Sequence, residues 1–311
     1  MKTAPHYSSA TLKQRLSEFL HLRTESRSTP TKFTYILILL TILSFLYLTF
    51  SSTGRYAVFA GYSSDGKVAP YTIDYLKGLR EVTDGIVYIT DSPLLPEEQK
   101  KIAPYVLYSA HAHHGEYDWG SYKRGYNWLK NNGFLKKAKE LIFANDSAYA
   151  PIKSFKPMFK SMSLRQELDF WGNTQNSKFN SHLQSYFLVF RRPVLRSRQF
   201  STFINSVKPQ PHHSLYITEY EVKLTPYLKN LGYKWDSYIP NFSKNRISTD
   251  PNSYPLTELK KYESQFLKRR TFTEKLPIEE DKAQLMQWLQ KKAPKVHNHV
   301  ITDFPVQTSD N

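Results

Sequence analysis

From Tyr56 onward, short apolar runs alternate with stretches of helical periodicity, and this alternation constrains the fold more than any other feature of the chain. Tyr56–Ala60 (YAVFA), Gly85–Thr90 (GIVYIT), Tyr105–Ser109 (YVLYS) and Glu140–Ala144 (ELIFA) are rich in β-branched and aromatic residues and read as buried strands. Between them, Ala69–Val82 puts Ile73, Leu76 and Leu79 on one helical face, Leu95–Ala103 opens a helix with Pro96, and Tyr122–Asn131 is helical. Strands separated by helices predict an α/β domain with a mostly parallel sheet. Ligands of such sheets bind at the carboxyl ends of the strands, where Asn145, Asp146 and Ser147 follow the ELIFA run. The same three residue types equally describe an ordinary turn, because they bond their own backbone.

Further along, Asp169–Asn173 reads as a strand and loop, Ser185–Phe190 as a strong strand, and Glu219–Leu231 as a helix closed by Gly232. Past Pro240 the chain turns polar, with a helix expected at Lys282–Lys292 and a disordered tail at 303–311. Ahead of the domain, Phe33–Phe50 runs 18 residues without a charge, Gly or Pro. As a helix it spans about 27 Å, enough to cross a bilayer. Lys2, Lys13, Arg15, Arg23, Arg27 and Lys32 precede it, so a single-pass anchor with a cytoplasmic N-terminus is expected. The side of the membrane on which the domain lies stays open: the basic flank sends the domain across, whereas bacterial nucleotide-sugars are cytoplasmic. The expected organisation is a basic tail (1–32), a transmembrane helix (33–50), a catalytic domain (55–240), a C-terminal extension (241–302) and the tail.

The formal net charge of +16 calls for a polyanion, and an adjacent anionic membrane answers that without nucleic acid. Lys and Arg are scattered and form no recognition helix, so no nucleic-acid partner is expected. With no Cys in the chain, disulfides and thiolate metal sites are excluded.

The runs GYSSDGKVAPYTIDYLKGL, EYDWGSYKRG, ELIFANDS, DFWG, HLQSYFLVFRRPVL and YEVKLTPYL, taken in order, resemble the rhamnan synthesis protein F family over residues 55–240. A weaker echo follows in Phe266–Phe272 (FLKRRTF). The resemblance implies a GT-A-like, doubly wound α/β glycosyltransferase domain. Its expected activity is inverting transfer of a deoxyhexose, rhamnose, from a nucleotide-sugar such as dTDP-rhamnose to a polysaccharide or lipid-linked glycan. The motif order is similar to that of inverting family-2 glycosyltransferases, in which Asn145-Asp146-Ser147 stands where an Asp-x-Asp is usual. One carboxylate replaces two, so Mg²⁺ or Mn²⁺ at Asp146 competes with direct binding of the ribose.

By the same resemblance Glu221 is the candidate base, three residues before Leu224, with Glu219 as its rival. Helix capping is the structural alternative for either. Asp65, Asp118, Gly120, Lys123, Asn145, Asp146 and Ser147 become donor-binding candidates; Trp171, Gly172, His182, Gln184 and Ser185 become sugar or acceptor contacts. Core packing competes for Trp171, and a plain turn for Asp65-Gly66. His111, His113, His114 and Glu116 invite a metal reading, but a surface or diphosphate-facing cluster is preferred. Arg191, Arg192, Arg196 and Arg198 are read as meeting diphosphate, anionic lipid or solvent. The competing functional reading is a non-catalytic carbohydrate-binding or scaffold protein of a polysaccharide assembly complex.

Overall fold

The computed structural model describes residues 53–273 and 278–305, together with the helical residues Thr34, Tyr35, Leu37, Ile38, Leu39 and Thr41. The basic tail, most of the Phe33–Phe50 segment and residues 306–311 lie outside the described residues. Among the described residues no helix is long and apolar enough to cross a membrane. Thr53–Asn311 forms one compact unit, so the segment after Pro240 is continuous with the α/β domain.

Strands β1 (Arg55–Gly61), β2 (Gly85–Thr90), β3 (Tyr108–His111) and β4 (Glu140–Asn145) pair in parallel in the order 3-2-1-4. Helices α1 (Pro70–Arg80), α2 (Pro96–Ile102) and α3 (Tyr117–Asn131) connect them. After β5 (Ala148–Tyr149) and helix α4 (Lys156–Leu164) come β6 (Phe170–Gly172), β7 (Gln175–Asn176), β8 (His182–Leu183) and β9 (Phe187–Arg191). β9 lies between β4 and β6 and runs antiparallel to both. β10 (Trp235–Ser237) closes the edge of the seven-stranded sheet, parallel to β6. A strand order of 10-6-9-4-1-2-3 with one reversed member makes a mixed α/β domain with a mostly parallel sheet.

The inner strands are apolar at nearly every position because both faces are covered. Alternate residues enter opposite cores: Ala57, Phe59, Ile142 and Ala144 pack with Tyr75 and Phe155, whereas Val58, Ala60, Leu141 and Phe143 pack with Tyr122 and Phe200. Gly125 lets α3 approach β1, since a Cβ there would lie 2.3 Å from Val58 Cγ1. A third cluster joins Tyr71 and Tyr149 to Leu256, Leu267, Leu285 and Leu289. It fixes helices α5 (Lys282–Lys292) and α6 (Pro294–Asp303) to the domain, and Asp281 caps α5 through the Ala283 amide at 2.7 Å.

Most expected elements appear within a few residues of their sequence positions, with two informative differences. The third strand begins at Tyr108 instead of Tyr105, because Ala103–Tyr105 around Pro104 closes a 3₁₀ turn. Helix α3 begins at Tyr117 instead of Tyr122, because Asp91 holds its first turn from across the sheet edge. Its Oδ1 accepts from the amides of His114 (2.6 Å) and Gly115 (2.9 Å), and its Oδ2 from that of Tyr117 (2.9 Å).

Candidate functional site

The parallel strands deliver their carboxyl ends to one edge of the sheet, and β9, being reversed, brings its amino end there. Gly61, Asp91, Asn145-Asp146-Ser147, Asn173 and Ser185 therefore converge from separate parts of the sequence. Gly61 is required at this edge, since a Cβ would lie 2.4 Å from the Tyr88 hydroxyl.

Two cavities open here. The first, about 470 Å³, is lined by Gly61, Tyr62, Asp91, His113, Tyr117 and Asp118. Asp118, in the first turn of α3, is tied to the strand end: Asn145 Nδ2 donates to its Oδ2 at 2.6 Å. Asp146 Oδ2 accepts from the Tyr62 amide at 2.8 Å. Burial, against the opposing charge of Lys268, pushes the Asp118 carboxyl up to about 6. Burial, with the neighbouring Asp118 charge, pushes Asp146 up to about 7.

A carboxyl whose pKa rises on folding adds stability that is fully present below its unfolded value, 3.8 for Asp146, and is lost as pH rises through the folded value of about 7. Asp146→Asn is expected to remove that loss, raising the melting temperature relative to wild type at pH 8 and leaving it unchanged at pH 4. Parallel melting-temperature profiles for the two proteins across this range would contradict the assignment.

The second cavity, about 550 Å³, is lined among others by Lys178, His182, Gln184, Glu221, Asp250 and Arg270. Glu221 closes a π-helical turn, Ile217–Glu221, which leads into the helix Val222–Asn230. Wider turns of this kind recur at functional sites. The Ser185 amide donates to Glu221 Oε2 at 2.8 Å, the Ser185 hydroxyl donates to the same oxygen, and His182 Nε2 lies 3.8 Å from Oε1. Burial opposes the charge on Glu221, but the His182 and Ser185 contacts outweigh it and hold the carboxyl below its usual range. Burial likewise opposes charge on His182, and contact with Glu221 and the Asn180 carbonyl outweighs it, raising the imidazole. The result is an ionised carboxylate facing a cavity at neutral pH.

The other sequence candidates fall into distinct places. Glu219 is half-buried and pairs with Lys223 one turn on, at 2.5 Å, whereas Glu221 lines the second cavity. Asp65 is exposed and bonds the Lys67 amide at 3.1 Å, as a turn residue does. Lys123 Nζ is held by Glu116 Oε1 at 2.6 Å and the Val207 carbonyl at 2.7 Å. Gly120 gives room to His114, whose ring a Cβ would approach to 2.8 Å. Trp171 is fully buried and packs edge-on against Phe159 at 5.4 Å, which makes it a core residue and not the stacking floor of an open site. Gly172 is buried beside it, where a Cβ would meet the Phe187 carbonyl at 3.0 Å. Gln184 accepts from Thr174 Oγ1 at 2.7 Å and lines the Glu221 cavity.

His111 meets Ser109 at 3.0 Å, whereas His113 and His114 both approach Asp91 Oδ1, at 3.0 and 3.5 Å, and the far nitrogen of His114 meets Ser121 at 3.0 Å. Burial and the nearby Arg124 push the His114 imidazole down to about 4. Among the described residues no three His, Asp or Glu side chains converge as metal ligands would. Arg191 pairs with Glu140 at the start of β4, at 3.2 Å, and Arg192 bonds the Lys137 and Ala138 carbonyls. Both lie at the sheet edge opposite Asp146, which removes them from any diphosphate bound beside that residue.

Sequence reading missed Asp91, Asp250, Lys268 and Arg270. The last two fall in FLKRRTF, whose cations interleaved with aromatics were the available signal. β11 (Leu267–Lys268) pairs antiparallel with β5, setting Lys268 opposite Ala148, and Lys268 Nζ donates to Ser147 Oγ. Arg270 pairs with Asp250, and Arg269 lies 3.2 Å from Asp303 with its guanidinium over the Tyr71 ring at 4.6 Å.

A divalent cation at Asp146 fits these residues poorly. Hard dications take about six oxygens in open geometry. Here Asn145 Oδ1 accepts from the Ser147 amide (3.1 Å) and hydroxyl (2.5 Å), Asp146 Oδ2 from Tyr62, and Ser147 Oγ carries the Lys268 ammonium. The strand end thus already holds a fixed cation, and three of its side-chain oxygens, Asn145 Oδ1, Asp146 Oδ2 and Ser147 Oγ, are engaged.

The chain belongs to the rhamnan synthesis protein F family, which matches over residues 86–307 and so runs through β11 and both C-terminal helices. An uncharacterised protein of Sinorhizobium fredii, y4gN, is 24% identical over 152 residues, covering 48% of this chain and 39% of the relative. The chain thus spans about two fifths of that relative's length. Among solved structures, a cytidylyltransferase from Leptospira borgpetersenii aligns with a TM-score of 0.39 and 13% identity, over 79% of this chain and 97% of that one. A glycosyltransferase involved in glycosylation of the major capsid of PBCV-1 aligns with a TM-score of 0.36 and 10% identity, over 69% of this chain and 93% of that one.

Proposed function

We propose that this chain is a membrane-anchored glycosyltransferase that moves a deoxyhexose, rhamnose, from a nucleotide-sugar to a polysaccharide or lipid-linked glycan with inversion at the anomeric carbon. The observation that carries the reading is Glu221: an ionised carboxylate, oriented by Ser185 and His182, facing a cavity at the edge where the strand ends gather. Transfer with inversion needs a base for the acceptor hydroxyl on the face opposite the leaving diphosphate. The neighbouring cavity, floored by Gly61 and Asp118, supplies space for the nucleotide. Membership of a rhamnan synthesis family favours rhamnose as the sugar.

Calorimetry with a panel of nucleotide-sugars tests the donor half of this reading. A dTDP- or UDP-linked deoxyhexose is expected to bind, and failure of every nucleotide-sugar in the panel would reject it. The anchor is tested separately. Removal of residues 1–52 is expected to move the protein from the membrane pellet to the supernatant, and pelleting unchanged by the truncation would contradict anchoring by Phe33–Phe50.

A further inference from the structure

Lys268 is the feature of the site that neither the sequence motifs nor the family match assigns to a role. It arrives from 121 residues beyond Ser147, delivered by the β5–β11 pairing, and its ammonium is fixed on the Ser147 hydroxyl with the Tyr186 ring beneath it at 4.4 Å. The charges that act on it belong to residues of both cavities: Asp118 lines the first, and Glu221, Asp250 and Arg270 line the second. Burial and the neighbouring Arg270 push the ammonium down to about 8, so it remains largely protonated at neutral pH. A buried lysine beside a buried carboxylate is ordinarily an internal ion pair. Lys268 instead donates to a neutral hydroxyl, that of Ser147.

We propose that the Lys268 ammonium, backed by the Arg270 guanidinium, neutralises the diphosphate of the nucleotide-sugar and takes the place of a divalent cation at this strand end. The inference rests on the glycosyltransferase reading. In the transfer step, the bond between the anomeric carbon and the diphosphate oxygen breaks and its electron pair leaves with the nucleoside diphosphate. The acceptor oxygen forms the new bond to the anomeric carbon and its proton passes to Glu221. Lys268 forms no covalent bond and gives up no proton; it stabilises charge as it develops on the leaving oxygens. Lysine suits this role as a compact point charge, and its hold on Ser147 sets where that charge lies.

The test is calorimetric titration of the full-length protein with dTDP and with UDP, in excess EDTA and again with Mg²⁺ or Mn²⁺. For whichever diphosphate binds, wild-type affinity is expected to be the same with EDTA as with metal. Lys268→Met, which keeps the apolar stem over Tyr186, is expected to weaken binding at least tenfold, and Lys268→Arg to restore most of it. Circular dichroism and melting temperature identify a folded Lys268→Met protein; if it fails to fold, the EDTA comparison on wild type decides by itself. Binding that needs metal, or unchanged binding by folded Lys268→Met, overturns the role of Lys268 and leaves the glycosyltransferase reading standing. Failure of wild type to bind either diphosphate with or without metal overturns both.

Discussion

Replacing Glu221 with Gln is expected to lower the rate of sugar transfer by roughly 10²- to 10⁴-fold, the contribution of a positioned general base. Nucleotide-sugar affinity is expected to stay near that of wild type. The substitution keeps the size of the side chain, and an amide oxygen still accepts from the Ser185 amide and hydroxyl that hold Oε2. What disappears is the carboxylate charge, which His182 and Ser185 maintain against burial. Glu221 lines the second cavity and Asp118 the first, so the substitution alters none of the groups on the nucleotide side. Glu219→Gln serves as the control: its partner is Lys223 at the surface, and transfer should continue at the wild-type rate. Equal rates for Glu221→Gln and wild type would remove Glu221 from the chemistry.

Phe143→Ala is expected to destabilise the domain by roughly 3–5 kcal/mol, the usual cost of emptying a buried aromatic site. Phe143 is fully buried on β4. Its ring stacks on Tyr122 at 4.5 Å and meets Phe190 edge-on at 5.1 Å, so three separate elements lose contacts at once. For a domain of this size the loss corresponds to a melting-temperature drop on the order of 10 °C. Tyr122 also donates from its hydroxyl to the Ser185 carbonyl at 2.9 Å, and Ser185 positions Glu221. Slackening this core should therefore reduce transfer in molecules that remain folded. Denaturant titration measures the first effect, and a loss below about 1 kcal/mol would show that the site collapses around the deletion.

The parallel strands were legible because burial on both faces leaves near-continuous apolar runs, as in GIVYIT and ELIFA. Gly232 was legible as a helix terminator because its backbone takes the left-handed conformation, with φ +90°, that glycine tolerates best. The start of α3 was not legible, since Asp91, the residue that satisfies its first amides, lies 26 residues before Tyr117. The same limit applies within the site. Asp146 and Glu221 stand in local motifs, whereas Lys268 acquires its position through a two-residue strand pairing across 121 residues of chain. Trp171 shows the reverse error: a large aromatic next to a glycine reads as a sugar platform, but its neighbours Phe159 and Phe187 bury it. The segment after Pro240, polar enough to read as an extension, contributes Phe266 to the main core and Asp250, Lys268 and Arg270 to the site.

The most direct test is a proton NMR time course of the full-length protein in nanodiscs with dTDP-rhamnose and an oligorhamnan acceptor. The expected result is a new glycosidic anomeric signal of configuration opposite to that of the donor, matched mole for mole by released dTDP and absent with Glu221→Gln. A product of retained configuration, or the same product formed equally by Glu221→Gln, would contradict inverting transfer with Glu221 as the base.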